Sequence, residues 1–207
     1  MLSRLKLWVL IISFLILAFL PIVAEAIGEE FYISLVARMM IFAIAAMSLD
    51  LILGYGGMIS FGHAMFFGLG CYSVGILAFY EITNGWVQLA VCVFGTALIG
   101  LFVGYISLRT SGIYFIMVTF ALAQMFYFLG ISLETYGGDD GLPIDTRSEF
   151  FSFFDLSEEL NMYYLILGTL TACTIFGWKC VNSRFGMVLR GSRANLPRME
   201  AIGFPTL

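Results

Sequence analysis

The sequence predicts an all-α membrane protein, a polytopic bundle of about six transmembrane helices whose third element is rich in glycine. Two observations carry this prediction. The 207 residues are 61% hydrophobic and only 12% charged, whereas soluble domains are about 25% charged. The apolar runs are about 20 residues long, which at about 1.5 Å per residue spans a hydrocarbon core of about 30 Å. A soluble fold and nucleic-acid binding are therefore not expected.

Six apolar spans follow one another between mostly short links, and residues 1–178 are predicted to form the transmembrane bundle. The spans are residues 5–24, 32–54, 58–80, 86–108, 113–132 and 160–178.

The first span has an alternative interpretation, because it ends at Ala24-Glu25-Ala26, which has the form of a signal-peptidase site. A cleaved signal peptide usually has an apolar core of about 7 to 15 residues. The run from Leu7 to Ala24 is longer than that and nearly covers the hydrocarbon core. We therefore predict a first transmembrane span.

The link between the second and third spans consists of Tyr55, Gly56 and Gly57, and seven of the 22 glycines lie within 54–75. Glycine costs about 1 kcal/mol relative to alanine in a helix interior, so this density requires close packing or a broken helix that lines a cavity. A link of three residues fits either a tight helical hairpin or a discontinuous third element. Such an element would begin as a half-helix or a re-entrant segment whose backbone faces a cavity.

Small residues recur at every fourth position in the third and fourth spans, as in Ser60-Ala64-Gly68 and Gly100-x-x-x-Gly104. This spacing places them on one helix face and predicts close helix packing. A substrate path along the same faces is the alternative.

Eight basic residues fall on one side of the membrane when the six spans are threaded alternately, and the other side receives Arg147 among several acids. The positive-inside rule then places both termini in the cytoplasm. The eight are Arg4, Lys6, Arg109, Lys179, Arg184, Arg190, Arg193 and Arg198.

Polar groups near or inside the spans are candidates for a translocation path, because such groups are costly in lipid. The sole histidine, His63, either makes a structural hydrogen bond or contacts substrate as part of a gate. Asp50 is either an interfacial acid or a group that pairs across the bundle. The path candidates are Asp50, Tyr55, Gly56, Gly57, Ser60, His63, Tyr114 and Gln124.

No catalytic, metal-binding or nucleotide-binding motif is present, and the four cysteines have neither CxxC spacing nor a histidine cluster beside them. We therefore expect neither an enzyme nor a bound cofactor, and any ATP would be bound by another subunit. The loop Thr135-Tyr-Gly-Gly-Asp-Asp-Gly-Leu-Pro143 is either a solvated turn or a docking or gating element.

Residues 179–207 form a different segment, in which Phe185, Val188 and Leu189 alternate with arginines. The pattern predicts an amphipathic helix on the cytoplasmic face, held to anionic lipid or presented to a cytoplasmic partner. A second short helix is expected, capped by Asn195 and ended by Gly203 and Pro205.

Four segments resemble, in order and spacing, the membrane permease subunits of ATP-binding-cassette importers for branched-chain amino acids, and the M-type more than the H-type. They are SLDLILGYGGMISFGHAMFFGLGCYSVGIL (48–77), LRTSGIYFIMVTFALAQMFYFL (108–129), TYGGDDGL (135–142) and SRFGMVLRGSRANLPRMEAIGF (183–204).

This resemblance implies a non-catalytic permease in the bacterial inner membrane. It implies a second permease subunit, two cytoplasmic ATPase subunits that bind ATP, and a periplasmic or extracellular substrate-binding protein as partners, beside membrane lipid. The residues expected to couple to the ATPases are Arg190, Arg193, Glu200, Ala201 and Gly203.

Two departures from the family pattern leave alternatives open. Asp50 stands where many branched-chain members have a neutral polar residue, so a permease for urea or short amides is an alternative. The chain also stops where the family continues with further helices, so we expect a product truncated after the coupling loop. An ATP-independent secondary transporter or channel is the alternative from another class, and a membrane enzyme is disfavoured.

Overall fold

The computed structural model describes residues 2–28, 31–144, 147–150 and 158–204, and within these ranges the chain is helical, without a β-strand. The all-α prediction is thus confirmed. The helices are α1 (Leu2–Ile27), α2 (Phe31–Asp50), α3 (His63–Phe79), α4 (Gly85–Ser107), α5 (Ile113–Ser132), α6 (Glu159–Asn182), α7 (Arg184–Ala194) and α8 (Leu196–Ala201).

Five helical segments are long and apolar enough to cross a membrane, which agrees with a membrane-embedded, polytopic protein. They are Trp8–Ile27, Phe31–Tyr55, Gly85–Ser107, Ile113–Ser132 and Glu159–Asn182. The remaining apolar helix, α3, has 17 residues, or about 26 Å at 1.5 Å per residue.

The chain divides into two compact units. The first comprises Met1–Met47 and Asp155–Trp178, and the second Ser48–Phe154 and Lys179–Leu207. In the first unit, α1, α2 and α6 enclose a small apolar core around Ile33, Met40 and Tyr163, and the Tyr163 side chain is 0% exposed.

In the second unit, α3 packs against both α4 and α5, and α7 packs against α8 and against the turn that follows α2. The loop after α5 returns to the start of α4, where the Gly85 amide donates to the Glu149 carbonyl (2.8 Å) and the Glu149 amide to Thr83 (2.8 Å). The indole of Trp86 also donates to the carbonyl of Phe150.

The third element begins later than the sequence predicted. Helix α3 starts at His63 rather than near Met58, and residues 57–62 are not helical. The tight hairpin is therefore wrong. The third element is interrupted at its start, as in the discontinuous alternative, but residues 57–62 form a non-helical link and not a half-helix. Hydropathy could not reveal this, because Met58, Ile59 and Phe61 are as apolar as the helix that follows them.

The predicted close-packed face of the third span is also wrong. Ser60 precedes the helix, and a Cβ added at Gly68 would have no atom within 4 Å, so Gly68 lies beside open space. In α4, a Cβ at Gly100 would lie 3.5 Å from the Phe66 ring, whereas Gly104 has nothing within 4 Å. Gly100 therefore accommodates an aromatic ring rather than a neighbouring helix backbone.

The two short helices after α6 follow the expected local signals. The Ser183 hydroxyl accepts a hydrogen bond from the Gly186 amide at the start of α7. The side chain of Asn195 accepts one from the Arg198 amide (3.1 Å), which confirms its predicted role as a cap of α8. Helix α8 ends at Ala201, before Gly203. Pro205, the other predicted stop signal, lies outside the described residues.

Candidate functional site

The end of α2 is widened into a π-helical turn, Leu51–Tyr55. Three backbone hydrogen bonds of 3.1 to 3.2 Å close this turn. The Gly56 amide donates to the carbonyl of Leu51. The Met58 amide donates to the carbonyl of Ile52, and this bond encloses a shorter loop in which the Gly57 amide donates to the carbonyl of Leu53. Such nested bonds satisfy the last carbonyls of a helix. Gly57 has φ of +72°, a conformation in which other residues are strained. Gly57 thus lets the chain leave the helix sharply.

Arg193 on α7 contacts this turn. Its guanidinium donates a hydrogen bond from Nη1 to the carbonyl oxygen of Gly54. Its aliphatic stem covers Gly57, where an added Cβ would lie 2.7 Å from Cγ and 3.0 Å from Cδ of Arg193. The structure therefore brings a residue predicted for ATPase coupling into contact with Gly57, one of the glycines predicted for the path.

His63, the first residue of α3, is joined to the end of α2. Its Nε2 lies 2.6 Å from the hydroxyl oxygen of Ser48, in a hydrogen bond whose donor is set by the imidazole tautomer. Its Nδ1 is buried and has no hydrogen-bond partner among the described residues. This bond fits the structural interpretation of His63, and a contact with substrate stays a prediction.

The link before α3 is held against α5 by Thr119, which is 3% exposed. The Phe61 amide donates to the Thr119 hydroxyl (3.3 Å), which itself donates to the Ile116 carbonyl. A Cβ at Gly62 would lie 3.0 Å from the Thr119 carbonyl oxygen, so the two backbones approach closely there. The Gly62 amide donates to the hydroxyl of Ser60, a predicted path residue.

A cavity of about 690 Å³ lies beside this link, lined mainly by apolar side chains of α3, α4 and α5. Its volume falls within the range of about 300–1,000 Å³ that is usual for small-molecule sites. Ala64 and Gly68 line it from α3, Thr96 from α4, and Phe120 and Gln124 from α5. Gln124, predicted for the path, contributes an amide to the wall.

The loop after α5 contributes Gly138, Asp139 and Gly141 to the same cavity. Several contacts hold this loop against the end of α3, among them the following two. The hydroxyls of Tyr80 and Tyr136 are 2.9 Å apart, and the side chain of Leu142 fills the space at Gly75, where a Cβ would lie 2.8 Å from it. The loop is therefore folded over the end of α3, while Asp139 and Asp140 stay exposed.

The other predicted path residues are placed differently. Tyr114 is 73% exposed near the start of α5 and, like Asp50 and Tyr55, is not among the described residues that line the cavity. The Asp50 carboxylate lies against Gly54, one turn further along its own chain.

Among the coupling candidates, Arg190 folds back onto the corner between α6 and α7, donating to the carbonyls of Gly186 (3.2 Å) and Val181 (3.1 Å). Ala201 is the last residue of α8, and the side chain of Glu200 lies outside the described part of the structure. Within the described ranges, no three His, Cys, Asp or Glu side chains are grouped as a metal site would require.

Sequence reasoning missed two residues, Ser48 and Thr119. Both are hydroxyl residues in strongly apolar helices, and that was the available signal, although α2 also contains Ser34 and α5 also contains Ser132. Hydroxyls inside transmembrane helices most often bond to their own backbone, as Ser73 does to Leu69. The cross-helix role of Ser48 and Thr119 was therefore not apparent from the sequence.

Comparison with known proteins identifies the family of the chain. A family model described as branched-chain amino acid transport system / permease component matches residues 31–207. The high-affinity branched-chain amino acid transport system permease proteins LivM of Escherichia coli (strain K12) and of Salmonella typhimurium (strain LT2) are each 24% identical to the chain over 159 residues.

These alignments cover 66% of this chain and 37% of each relative, so the chain spans well under half the length of the relatives it matches. No solved structure matches significantly. The family match nevertheless includes α2 to α8 and every candidate site residue named above. The chain therefore belongs to the family of permease components of branched-chain amino acid transport systems.

Proposed function

We propose that the chain is a permease subunit of an ATP-binding-cassette importer that moves branched-chain or related amino acids across the bacterial inner membrane. In this proposal the chain binds no cofactor and performs no chemistry, and ATP is hydrolysed on partner subunits. The observation that carries the proposal is the 690 Å³ cavity among α3, α4 and α5, which belongs to the region matched by the permease family.

The character of the cavity favours an amino acid with an aliphatic side chain. Its wall is mostly apolar, with Gln124 and Thr96 among its few polar groups. Such a site can bury an aliphatic side chain and bind polar groups at a few points. Asp50 was the reason to consider urea or short amides, but its carboxylate contacts Gly54 instead of this wall. An aliphatic amino acid therefore suits the cavity better.

The proposed orientation places both termini and α7–α8 on the cytoplasmic side, as the distribution of Lys and Arg predicts. The loop around Tyr136 then faces the substrate-binding protein, and α7 and α8 face the two ATPase subunits. A second permease subunit and lipid cover the exposed apolar faces, such as that around Leu98 and Leu101, which are 70% and 76% exposed.

The decisive experiment is uptake by the assembled transporter in proteoliposomes. The chain is produced with its second permease subunit, ATPases and binding protein, and labelled leucine, valine, urea and acetamide are compared. We expect saturable uptake of leucine or valine that requires ATP hydrolysis, and none with a hydrolysis-deficient ATPase. Uptake of urea alone would establish the amide alternative. Uptake driven by an ion gradient without nucleotide would establish a secondary transporter or channel.

The coupling role of α8 and of the residues after it is tested by replacing Glu200 and by Gly203→Ala. Gly203 has φ of +90° with open space around it, so alanine there strains the backbone without a clash. We expect ATPase activity to persist while uptake falls. Gly28→Ala is the matched control, because Gly28 has φ of +78° and equally open space. Normal uptake in the Gly203 and Glu200 variants would contradict the coupling role.

A further inference from the structure

We propose that Arg193 is the positioning residue that links α7 mechanically to the broken end of α2, so that movement of α7 is transmitted to the 57–62 link and to α3. The inference rests on the proposed transport function and specifies its internal transmission contact. Arg193 is 139 residues away from Gly54 in the chain, yet it bonds to its carbonyl.

The first support is the hydrogen-bond pattern at the end of α2. The carbonyls of Leu51, Ile52 and Leu53 accept from the amides of the next turn, whereas that of Gly54 accepts from the Arg193 guanidinium. The last carbonyls of a helix carry partial negative charge and need donors, and a cation is a favourable one. Arg193 therefore acts as the cap of a helix that is remote in sequence.

The second support is the space that Gly57 leaves. The Arg193 stem occupies the position where any other residue at 57 would carry its Cβ, 2.7 Å from Cγ. Gly57 thus serves two purposes, since it adopts φ of +72° and also admits the arginine. The contact between α7 and the turn depends on both residues at once.

The third support is that further packed contacts extend from the Arg193 contact toward α8 on one side and toward α3 on the other. On the α8 side, Met199 packs against Gly191 of α7, where a Cβ would lie 2.7 Å from the methionine sulfur. On the α3 side, the end of α2 is joined to α3 by the hydrogen bond between Ser48 and His63. Packed contacts of this kind run from α8 through α7 and the π-helical turn to α3, so a shift of α8 has a physical route to the link.

A double-mutant cycle, measured as melting temperatures of the full purified chain, tests the contact between Arg193 and Gly57 without any assumption about transport. Gly57→Ala introduces backbone strain and a clash with Arg193. Gly28→Ala introduces a positive φ, +78°, for alanine at another helix end, in open space. We expect Gly57→Ala to lower the melting temperature by about 2–4 °C more than Gly28→Ala. In an Arg193→Ala background this excess should disappear, because the clashing stem is gone. An excess that persists there would overturn the inference.

A transport assay on the reconstituted assembly tests the transmission. Arg193→Gln should lower the ratio of substrate moved to ATP hydrolysed by about threefold or more. Arg193→Lys, which keeps a cationic donor, should retain more of that ratio. Arg184→Gln is the matched control, since it removes the same charge from an exposed position on α7. An unchanged ratio in Arg193→Gln overturns the inference while leaving the proposed function intact.

The failure of the proposed function would look different. If the assembly of unaltered chains moves no substrate on ATP hydrolysis, the proposed function is wrong, and the transmission role of Arg193 falls with it. If unaltered chains transport and only the Arg193 and Gly57 variants lose coupling, both proposals are supported.

Discussion

The hydroxyl of Tyr163 on α6 donates a 2.6 Å hydrogen bond to the backbone carbonyl of Leu17 on α1. This carbonyl lies four residues before Pro21, the proline inside α1. Proline has no amide hydrogen, so the carbonyl of Leu17 lacks its usual helical donor. The tyrosine, whose side chain is 0% exposed, supplies the missing hydrogen bond. The buried Tyr163 thus makes a proline tolerable inside a transmembrane helix.

Tyr163→Phe is therefore expected to destabilise the chain by about 1–2 kcal/mol, because it leaves the Leu17 carbonyl without a donor. In a Pro21→Ala background the cost should fall to less than half, since the substituted alanine can donate its own amide to Leu17. The free energies of unfolding of the four variants in mild detergent measure this coupling. Equal costs of Tyr163→Phe in both backgrounds would show that the hydroxyl does not compensate for the proline.

Tyr164→Phe is the control for this cycle. Its hydroxyl lies 3.5 Å from the carbonyl of Ala18, which the helix geometry of α1 pairs with the amide of Ile22. Removing the Tyr164 hydroxyl should lower the free energy of unfolding by less than removing the Tyr163 hydroxyl. The loss should be the same with proline or alanine at position 21.

Ser48→Ala removes the hydroxyl that bonds to His63 and frees the start of α3 from the end of α2. We expect a loss of about 1 kcal/mol in stability, measured by thermal unfolding in detergent. Ser132→Ala is the matched control, because that hydroxyl bonds to Leu129, one turn earlier in its own helix. The Ser48 variant should be the less stable of the two, and the same melting temperature in both would count against the link.

Gly68→Leu should fill part of the cavity without disturbing the helix. No atom lies within 4 Å of the added Cβ, and leucine is a better helix former than glycine by about 1 kcal/mol. We expect a normally folded chain whose uptake in proteoliposomes is reduced at least about tenfold. Gly104→Leu is the control, since Gly104 also faces open space but does not line the cavity. A comparable loss in both variants would argue against a role of the cavity.

The contact between Tyr80 and Tyr136 should make the loop after α5 sensitive to alkaline pH. The hydrogen bond to Tyr80, followed by partial burial, raises the pKa of Tyr136 above its ordinary value of 10.0. Its stabilising contribution is therefore complete below pH 10 and is lost as the pH rises through the raised pKa. Proteolysis within the 137–141 segment should accelerate over that range.

Tyr136→Phe keeps the ring contact with Phe79 (5.6 Å between centroids) but lacks the hydroxyl. Its loop should be cleaved faster than the unaltered loop at neutral pH and should lack the added alkaline acceleration. If the unaltered loop shows no alkaline acceleration relative to this variant, the two hydroxyls do not hold it.

Part of the candidate site could be predicted from residue types alone. Glycines 56 and 57 indicated a break after the second span. For the lone imidazole of His63, the structural alternative was a hydrogen bond to a neighbouring helix, and the observed bond to Ser48 of α2 fits it. Gln124, predicted for the path, lines the cavity, whereas Tyr114 does not. An isolated tyrosine on an apolar helix does not indicate which face of that helix is covered.

The sequence by itself determined the membrane class, the helical content and the family. It could do so because a bilayer leaves an apolar run of about 20 residues few structures other than a helix. The caps of the short helices could also be predicted, because each involves residues close together in the sequence. Asn195, which caps α8 through the Arg198 amide, is an example.

The tertiary structure alone decided where α3 begins, which groups surround the cavity and what Arg193 contacts. The 57–62 link is held by Thr119 and covered at Gly57 by Arg193, and the carbonyl freed by Pro21 is satisfied by Tyr163. Each of these interactions joins groups far apart in the chain, so its energy depends on how helices meet rather than on any local pattern.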